Sequence, residues 1–268
     1  MCRESVSTPD LTENTMYMYK RLHIFALIAL ALVSCSKETP VSETEVRFCA
    51  TIQPEVTVLV KGGEAEPEPI LTDHAVLEIW RGNVRIARQE KLVPAGLAEI
   101  PFDSEKLAGG VDYDVFIWVD KEGYYECSDL RNVSLDTDKS YDGANPEFDA
   151  FFVYAPFNGV QGNEVTNVTL KRPFAKVNFG APVASPLAVK FSAPTTLNLK
   201  TGEVSETRNF EYTVQPEASS VTAFDYVFAT EEISHLNYTF KLGERDEITT
   251  SVPVQKNTKT NIIYNITN

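Results

Sequence analysis

Oxygen-bearing side chains are concentrated in one acidic stretch near the middle of the chain. Asp136, Asp138 and Ser140 stand at alternate positions, and Glu147 stands at the twelfth position counted from Asp136. This is the ligand spacing of the EF-hand calcium loop. Tyr141, however, occupies the position at which such a loop needs glycine for its sharp turn. We therefore favour a solvated acidic loop with no metal or cofactor, and we name these four side chains as the ligands of the alternative calcium site.

The sequence lacks the residue patterns that most hydrolases need. Paired acids recur at Glu231–Glu232, at Glu244 and Asp246, and at Asp112 and Asp114. A glycosidase needs two carboxylates that face each other across a cleft, and in so acidic a chain such pairs are expected by chance. Neither a Gly-x-Ser-x-Gly elbow nor a His-Glu-x-x-His motif is present. The sequence therefore predicts that the protein is not an enzyme.

The chain has four cysteines, and two of them could form a disulfide bond. Cys2 and Cys35 belong to the N-terminal region, which leaves Cys49 and Cys127. Exported proteins can form disulfide bonds, but separation in sequence does not determine separation in space. A Cys49–Cys127 disulfide and two buried free thiols therefore both stay open. No Cys-x-x-Cys or Cys/His spacing indicates zinc.

The N-terminal region has the organisation of a secretory signal peptide. Lys20 and Arg21 precede the apolar run Ile24–Val33, which is followed, after one serine, by Cys35. The run is shorter than the roughly 20 apolar residues that a membrane-spanning helix needs. The order Leu-Val-Ser-Cys resembles the lipobox of bacterial lipoproteins, in which a peptidase cuts before the cysteine and lipid is attached to it. We expect a signal peptide over residues 1–34 and a lipid on Cys35, with an ordinary signal peptide as the alternative.

Polar segments flank this apolar run. Residues 1–15 precede the basic pair, and because a signal peptide begins near its basic region, we expect them not to be translated. Residues 35–45 show no apolar period and are predicted to form a flexible tether. The charged pair Lys37–Glu38 resembles the export signals that place some Bacteroidetes lipoproteins on the outer face of the cell. We therefore expect the protein at the outer membrane, exposed at the cell surface.

The charge of the chain excludes one class of partner. Its 268 residues carry a formal net charge of −14, which disfavours binding to nucleic acid. The length beyond the leader suits one large or two small domains, each with enough chain to bury a core.

The rest of the chain has the patterns of β-strands. Ala75–Trp80 and Val84–Gln89 flank a turn and predict a hairpin. Tyr113–Asp120 is apolar on both faces and predicts a central strand. Ser104–Gly109 is predicted to form one helical turn.

Short strands continue to the end of the chain. The pattern alternates on both sides of Pro173, which predicts an edge strand or a bulge there. We predict an all-β fold with two tandem β-sandwich domains, at residues 46–164 and 165–268.

Two blocks in the second half resemble a known family. Leu170–Phe179 has the sequence LKRPFAKVNF, and Val252–Ile263 has the sequence VPVQKNTKTNII. Together with the lipobox they resemble the fimbrillin-like (FimA/Mfa-type) lipoproteins of Bacteroidales. Members of that family open their second domain with an Arg-Pro-x-Ala-Lys/Arg strand and close it with a Pro-Val-x-Arg/Lys-Asn strand. The resemblance implies two transthyretin-like or immunoglobulin-like β-sandwiches in tandem.

The same resemblance implies a function. Shaft members are cut after an arginine near the start of the first domain, and a neighbour's strand fills the groove that opens. Arg47, the first arginine after Cys35, is the candidate processing site. Anchor and accessory members keep their first strand and their lipid, and the short C-terminal end favours that type. We expect a structural or adhesive subunit whose partners are the membrane, other fimbrial subunits or surface ligands.

Aromatic side chains supply the alternative function. Trp118 lies in an apolar run and is expected in the core, whereas Tyr124 and Tyr125 follow a turn. An exposed tyrosine offers a ligand both an apolar face and a polar tip. The pair Tyr124–Tyr125 is therefore the candidate glycan contact of a surface glycan-binding lipoprotein in a carbohydrate-uptake system.

Overall fold

The computed structural model describes residues 42–54, 57–60, 70–136, 140–159, 164–180, 185–215 and 223–263. The chain divides into two compact units, Met1–Ser42 and Glu43–Asn268, and the second holds nearly all of the described residues. These residues form eighteen strands and one 3-10 turn, so the all-β fold class is confirmed. None of them belongs to a helix that is long and apolar enough to cross a bilayer. The predicted signal peptide and tether lie almost wholly outside the described residues.

The elements are β1 (Glu43–Ile52), β2 (Thr57–Val60), β3 (His74–Arg81), β4 (Val84–Leu92), β5 (Glu99–Pro101), β6 (Glu105–Ala108), β7 (Asp112–Asp120), β8 (Tyr125–Glu126), β9 (Asn132–Leu135), the 3-10 turn η1 (Pro146–Phe148), β10 (Phe151–Asn158), β11 (Glu164–Leu170), β12 (Phe174–Gly180), β13 (Leu187–Asn198), β14 (Val204–Val214), β15 (Ala223–Phe228), β16 (Ser234–Leu242), β17 (Ile248–Val254) and β18 (Thr258–Ile263).

Hydrogen bonds group these strands into four sheets. Sheet I has the order β11-β1-β5, with β6 also paired to β1, and sheet II has the order β10-β7-β3-β4. Sheet III has the order β15-β12-β18-β2, and sheet IV has the order β17-β16-β13-β9-β8, with β14 also paired to β13. The pairs β1–β11, β12–β18 and β18–β2 are parallel.

Sheets I and II enclose the first hydrophobic core. Side chains alternate between the two faces of a strand. β1 therefore buries Val46, Phe48, Ala50 and Ile52 while the residues between them face outward or lie at the margin. Apolar side chains from β3 and β7 meet them from sheet II.

Sheet II is buried on its other face as well. Phe116 and Trp118 of β7 pack there against Phe174 of β12 and Leu197 of β13, which belong to sheets III and IV. A strand covered on both faces needs apolar residues at every position. This confirms the prediction that Tyr113–Asp120 is a central strand.

Sheets III and IV enclose a further core. Val177 of β12 packs there with Val189 and Phe191 of β13 and with Tyr238 of β16. The rings of Phe191 and Tyr238 are stacked, with their centroids 4.6 Å apart. Aromatic stacking of this kind adds to the stabilisation that burial alone gives.

The sheets do not follow the predicted division between residues 164 and 165. β11 begins at Glu164 and lies after that position in its other six residues, but it pairs along its whole length with β1. β2 and β9 lie before it but pair with β18 and β13 respectively. The assignment of these strands is therefore corrected, because strand pairing joins segments from both sides of the boundary. The tandem arrangement itself stays a prediction.

Three local predictions have different outcomes. The hairpin is confirmed as β3 and β4, with Gly82 at a φ of 58° in the turn between them. The helical turn at Ser104–Gly109 is wrong, because Glu105–Ala108 forms β6 and hydrogen-bonds to β1. Pro173 marks neither a simple edge nor a bulge, because the chain passes there from β11 in sheet I to β12 in sheet III.

Candidate functional site

The first strand and the groove that holds it are the structural element on which the predicted function depends. β1 lies between β11, which pairs with Val46–Ile52, and β5 and β6, which pair with its other edge. The side chains of Val46, Phe48, Ala50 and Ile52 are 0–4% exposed. Burying each of the three large ones contributes about 1.5–3 kcal/mol. Loss of this strand would therefore remove much of the stability of a domain, which is typically about 5–15 kcal/mol.

Arg47 lies within this paired strand. Its side chain is exposed, but its backbone lies opposite Val165 of β11. On the other edge, the carbonyl of Phe48 accepts a hydrogen bond of 2.9 Å from the amide of Phe102. Proteases cut preferentially at exposed loop tips and flexible ends rather than in paired strands. Processing after Arg47 stays a prediction, and this geometry disfavours it.

The two cysteines do not form the disulfide bond. Both are free thiols, Cys49 half-buried on β1 and Cys127 buried. Cys127 belongs to the core on the far face of sheet II, whereas the neighbours of Cys49 on β1 point into the core between sheets I and II. Sheet II therefore separates the two thiols. Burial raises the pKa of the Cys127 thiol, which makes it unreactive.

Tyr124 and Tyr125 do not form an exposed aromatic platform. Tyr125 is buried, its hydroxyl donates to the carbonyl of Phe148 at 2.6 Å, and its ring packs edge-on against Trp118 at 5.3 Å. Tyr124 is half-buried, with its ring edge-on to Phe148 at 4.8 Å and its hydroxyl bonded to Glu147. The glycan contact predicted for this pair is wrong for Tyr125, because its ring and its hydroxyl are both engaged inside the protein.

The predicted calcium loop is only partly within the described residues. Asp138 lies outside them, Ser140 is exposed, and Glu147 accepts a hydrogen bond from Tyr124. Asp136 donates its amide to the carbonyl of Tyr124 at 3.0 Å. Among the residues that the structure describes, no group of three acids, histidines or cysteines could hold a metal ion. The calcium hypothesis therefore stays a prediction.

The tyrosine in that loop has a different role. The hydroxyl of Tyr141 donates to the carboxyl of Asp225 at 2.8 Å, and Tyr212 donates to the same carboxyl at 2.9 Å. Asp225 is fully buried. Burial raises the pKa of Asp225 to about 7, against the opposing effect of the two hydroxyls. The backbone after Tyr141 also contacts β15, since the amide of Ala144 donates to the carbonyl of Phe224 at 2.8 Å.

A second polar cluster, which the sequence did not predict, surrounds His74 at the start of β3. His74 Nδ1 lies 2.7 Å from Asp120 and Nε2 lies 3.1 Å from Glu90. The hydrogen bond with Asp120 raises the pKa of His74, burial opposes it, and Glu90 adds to the rise. The thiol of Cys127 lies 3.8 Å from the other oxygen of Asp120. The acid stands between the thiol and the imidazole, so these groups cannot act as a nucleophile with its adjacent base.

A buried acid continues this cluster on the same face of β3. Glu78 is fully buried and accepts hydrogen bonds from Arg85 at 2.8 Å and from Arg88 at 2.5 Å. The two arginines also donate to the carbonyls of Ser128 and Cys127, each at 2.8 Å. The cluster therefore fastens the segment after β7 onto sheet II. The sequence signal that could have revealed this cluster is an acid within an apolar strand, followed by arginines in the next strand of the hairpin.

The two blocks that carry the family resemblance meet at a buried ion pair. Arg172 donates to Asp149 through two nitrogens, at 2.8 and 2.6 Å, and its guanidinium lies 4.7 Å from the ring centroid of Phe151. The same guanidinium binds the carbonyl of Pro54, and the amide of Arg172 donates to the side chain of Asn257 at 3.3 Å. These residues follow β1, precede β10 and precede β18. The motif therefore joins segments of different sheets.

Together these contacts define an all-β protein whose polar clusters fasten strands and loops to one another. The chain belongs to the family of unknown function DUF6562, whose model matches residues 38–266. No curated protein matches the chain.

Two solved structures show the same fold. The fimbrial anchor protein Mfa2 from Porphyromonas gingivalis has a TM-score of 0.53 at 11% identity, over 78% of this chain and 82% of its own. A candidate cell-adhesion protein from Bacteroides eggerthii has a TM-score of 0.51 at 11% identity, over 86% of this chain and 89% of its own. The resemblance to fimbrillin-like proteins of Bacteroidales is thereby confirmed at the level of the fold.

Proposed function

We propose that the protein is a lipid-anchored structural or adhesive subunit at the cell surface, of the anchor or accessory type and without catalytic activity. Two observations support this proposal: the fold is that of a fimbrial anchor protein, and the lipobox ends at Cys35. The polar clusters of the described residues bind protein groups and leave no nucleophile beside a base.

The intact first strand is the observation that favours an anchor or accessory subunit over a shaft subunit. A shaft subunit has to release this strand so that the strand of a neighbour can replace it. Here β1 is hydrogen-bonded along both edges and buries four apolar side chains. The subunit therefore keeps β1, and it docks to partners through other surfaces.

Strand exchange with a synthetic peptide tests this choice. A biotinylated peptide with the sequence of Glu43–Ile52 is incubated with the folded full chain, and uptake is measured on streptavidin. We expect no uptake, because the groove is occupied. The control is the same chain after partial denaturation and refolding with excess peptide. Uptake by the native chain would contradict a locked first strand.

Detergent partition tests the lipid anchor. Cells that express the full chain are fed an alkyne-modified fatty acid, and the protein is separated with Triton X-114. The wild type should carry the label and enter the detergent phase, whereas Cys35→Ala should do neither. Cys49→Ala, which removes a free cysteine of the folded chain, is the matched control and should behave like the wild type. An unlabelled wild type in the aqueous phase would refute the anchor.

A further inference from the structure

A cleft of about 380 Å³ opens where sheet II meets the turn between β13 and β14. Its walls come from Asp112–Asp114 at the start of β7, Pro156–Asn158 at the end of β10, Gly82 in the β3–β4 turn, and Lys200. Ligand-binding pockets commonly have volumes of about 300–1,000 Å³. Asp112 and Asp114 are one of the acid pairs noted in the sequence, and the structure gives that pair a location.

The polar groups of the cleft are held in place by one another. Asp114 accepts a hydrogen bond from the hydroxyl of Tyr154 at 2.8 Å and one from Lys200 Nζ at 2.6 Å. Asp112 accepts a hydrogen bond of 2.6 Å from the side-chain amide of Asn158. Asp112 and Asn158 are opposite each other in the β7–β10 register, and residues two apart on a strand share a face. The groups therefore converge because of the strand geometry.

The charges of the cleft are mixed. Burial raises the pKa of Asp114, but the hydrogen bonds from Lys200 and Tyr154 outweigh it and keep the pKa below its usual range. The hydrogen bond to Asp114 raises the pKa of Lys200. At neutral pH the cleft therefore presents carboxylates and an ammonium side by side, next to the amide of Asn158.

This arrangement selects among chemical classes of ligand. Two carboxylates repel phosphates and other anions. Metal binding is disfavoured, since no group of three suitable ligands occurs among the described residues. A hydroxyl group both donates and accepts, so neighbouring hydroxyls can donate to Asp112 and Asp114 and accept from Lys200 and Asn158.

Pro156 is the apolar residue on the same face, because it lies opposite Asp114 in the β7–β10 register, and its ring offers contact to the carbon–hydrogen face of a ligand. The side chains of Tyr113 and Phe157 belong to the core on the other face of sheet II. We infer that this cleft binds a neutral carbohydrate through Asp112, Asp114, Asn158 and Lys200. The inference does not rest on the proposed anchoring or on the locked first strand, since the cleft belongs to the folded chain alone.

Glycan-array binding tests the inference. The fluorescently labelled full chain is applied to a printed array of neutral oligosaccharides, and the strongest hit is titrated by calorimetry. We expect Asp114→Asn and Lys200→Ala each to weaken the affinity at least ten-fold. Asn158→Asp, at an exposed position, should weaken it as well and serves if loss of the contacts of Asp114 with Tyr154 and Lys200 makes the first variant unstable.

The control lies at the opposite end of β7. Glu122→Gln removes one negative charge from an exposed turn and should leave the affinity unchanged. Thermal unfolding of each variant shows whether lost binding reflects lost folding. The inference is overturned if no neutral oligosaccharide binds. It is equally overturned if the folded cleft variants bind as tightly as the wild type, or if Glu122→Gln weakens binding as much as they do.

Discussion

Two buried carboxyl groups, Asp149 and Asp225, are accommodated in opposite ways. Asp149 is 4% exposed and forms a two-pronged ion pair with Arg172. Asp225 is 0% exposed, and the donors that reach it within the described residues are the hydroxyls of Tyr141 and Tyr212. One acid is therefore matched by a full positive charge, and the other by two dipoles.

The difference decides the protonation state of each site. A buried carboxylate is costly unless a cation compensates its charge, and hydroxyl donors compensate it only in part. The pKa of Asp225 is accordingly raised to about 7 by burial. The junction at Arg172 is a fixed charged link, whereas the contact at Asp225 depends on pH.

Removing the cation from the charged site should have the largest effect. In Arg172→Ala the carboxylate of Asp149 stays buried without its guanidinium, so the free energy of unfolding should fall by about 3–5 kcal/mol. Denaturant unfolding monitored by tryptophan fluorescence measures this. The control is Arg81→Ala at an exposed position, where we expect a change below about 0.5 kcal/mol. Equal small losses in both variants would show that the ion pair does not hold the junction.

Replacing the acid at the other site should remove a pH dependence. The pKa of Asp225 rises from 3.8 to about 7 on folding, so folding favours the protonated form. Its stabilising contribution is complete below about pH 4 and is lost as the pH rises to about 7, a change of roughly 4 kcal/mol. Asp225→Asn should lack this slope in unfolding curves recorded between these pH values.

The control for that slope is Asp246→Asn, at an exposed acid, which should keep the wild-type profile. A slope that persists in Asp225→Asn would assign the pH dependence to another group. Absolute stabilities are less informative here, because asparagine brings an amide donor into the same buried space.

Replacing His74, the first residue of β3 in sheet II, should lower the stability by a smaller amount. As at Asp225, the contribution of the wild-type side chain should be lost as the pH rises. The pKa of His74 is raised by its hydrogen bond with Asp120, against burial and with help from Glu90. Its contribution is complete below about pH 6.5 and is lost as the pH rises through the raised value. At pH 6, His74→Gln should lower the free energy of unfolding by about 1–3 kcal/mol. The difference from the wild type should shrink in alkaline solution, and a difference that is constant with pH would refute a charged imidazole.

The smallest expected changes in stability come from replacing Tyr141 and Tyr238, two tyrosines of the core between sheets III and IV. Tyr141→Phe removes a hydroxyl that donates to Asp225, which should cost about 1 kcal/mol. Tyr238→Phe removes a buried hydroxyl that has no hydrogen-bond partner within the described residues, and it should be neutral or stabilising. Thermal unfolding of both variants at pH 6 measures the contrast. The reverse order of stabilities would contradict the role of Tyr141.

The fold class and several elements could be predicted from local patterns. The hairpin of β3 and β4 and the central position of β7 follow from alternation and from a run that is apolar on both faces. The helical turn predicted at Ser104–Gly109 was wrong because the strand there, Glu105–Ala108, has only four residues and is too short to show a period. It is extended because β1 offers it hydrogen bonds.

The clusters could not be predicted, because their members are far apart in the sequence. Tyr141 and Asp225 are separated by 84 residues, and Asp149 and Arg172 by 23. The burial of Tyr125 follows from the packing of Trp118 and Phe148 around it, which no local pattern shows. The cleft at Asp114 likewise needs Lys200 from a distant turn.

The sequence by itself determined the fold class of this protein, through the alternation that makes nearly every described segment a strand. That alternation is a local property of residue order. Only the tertiary structure decided which strands pair, that the chain changes sheets at Pro173, and that β1 is held on both edges. Hydrogen bonds between strands and buried charge pairs depend on distance in space, which residue order alone does not specify.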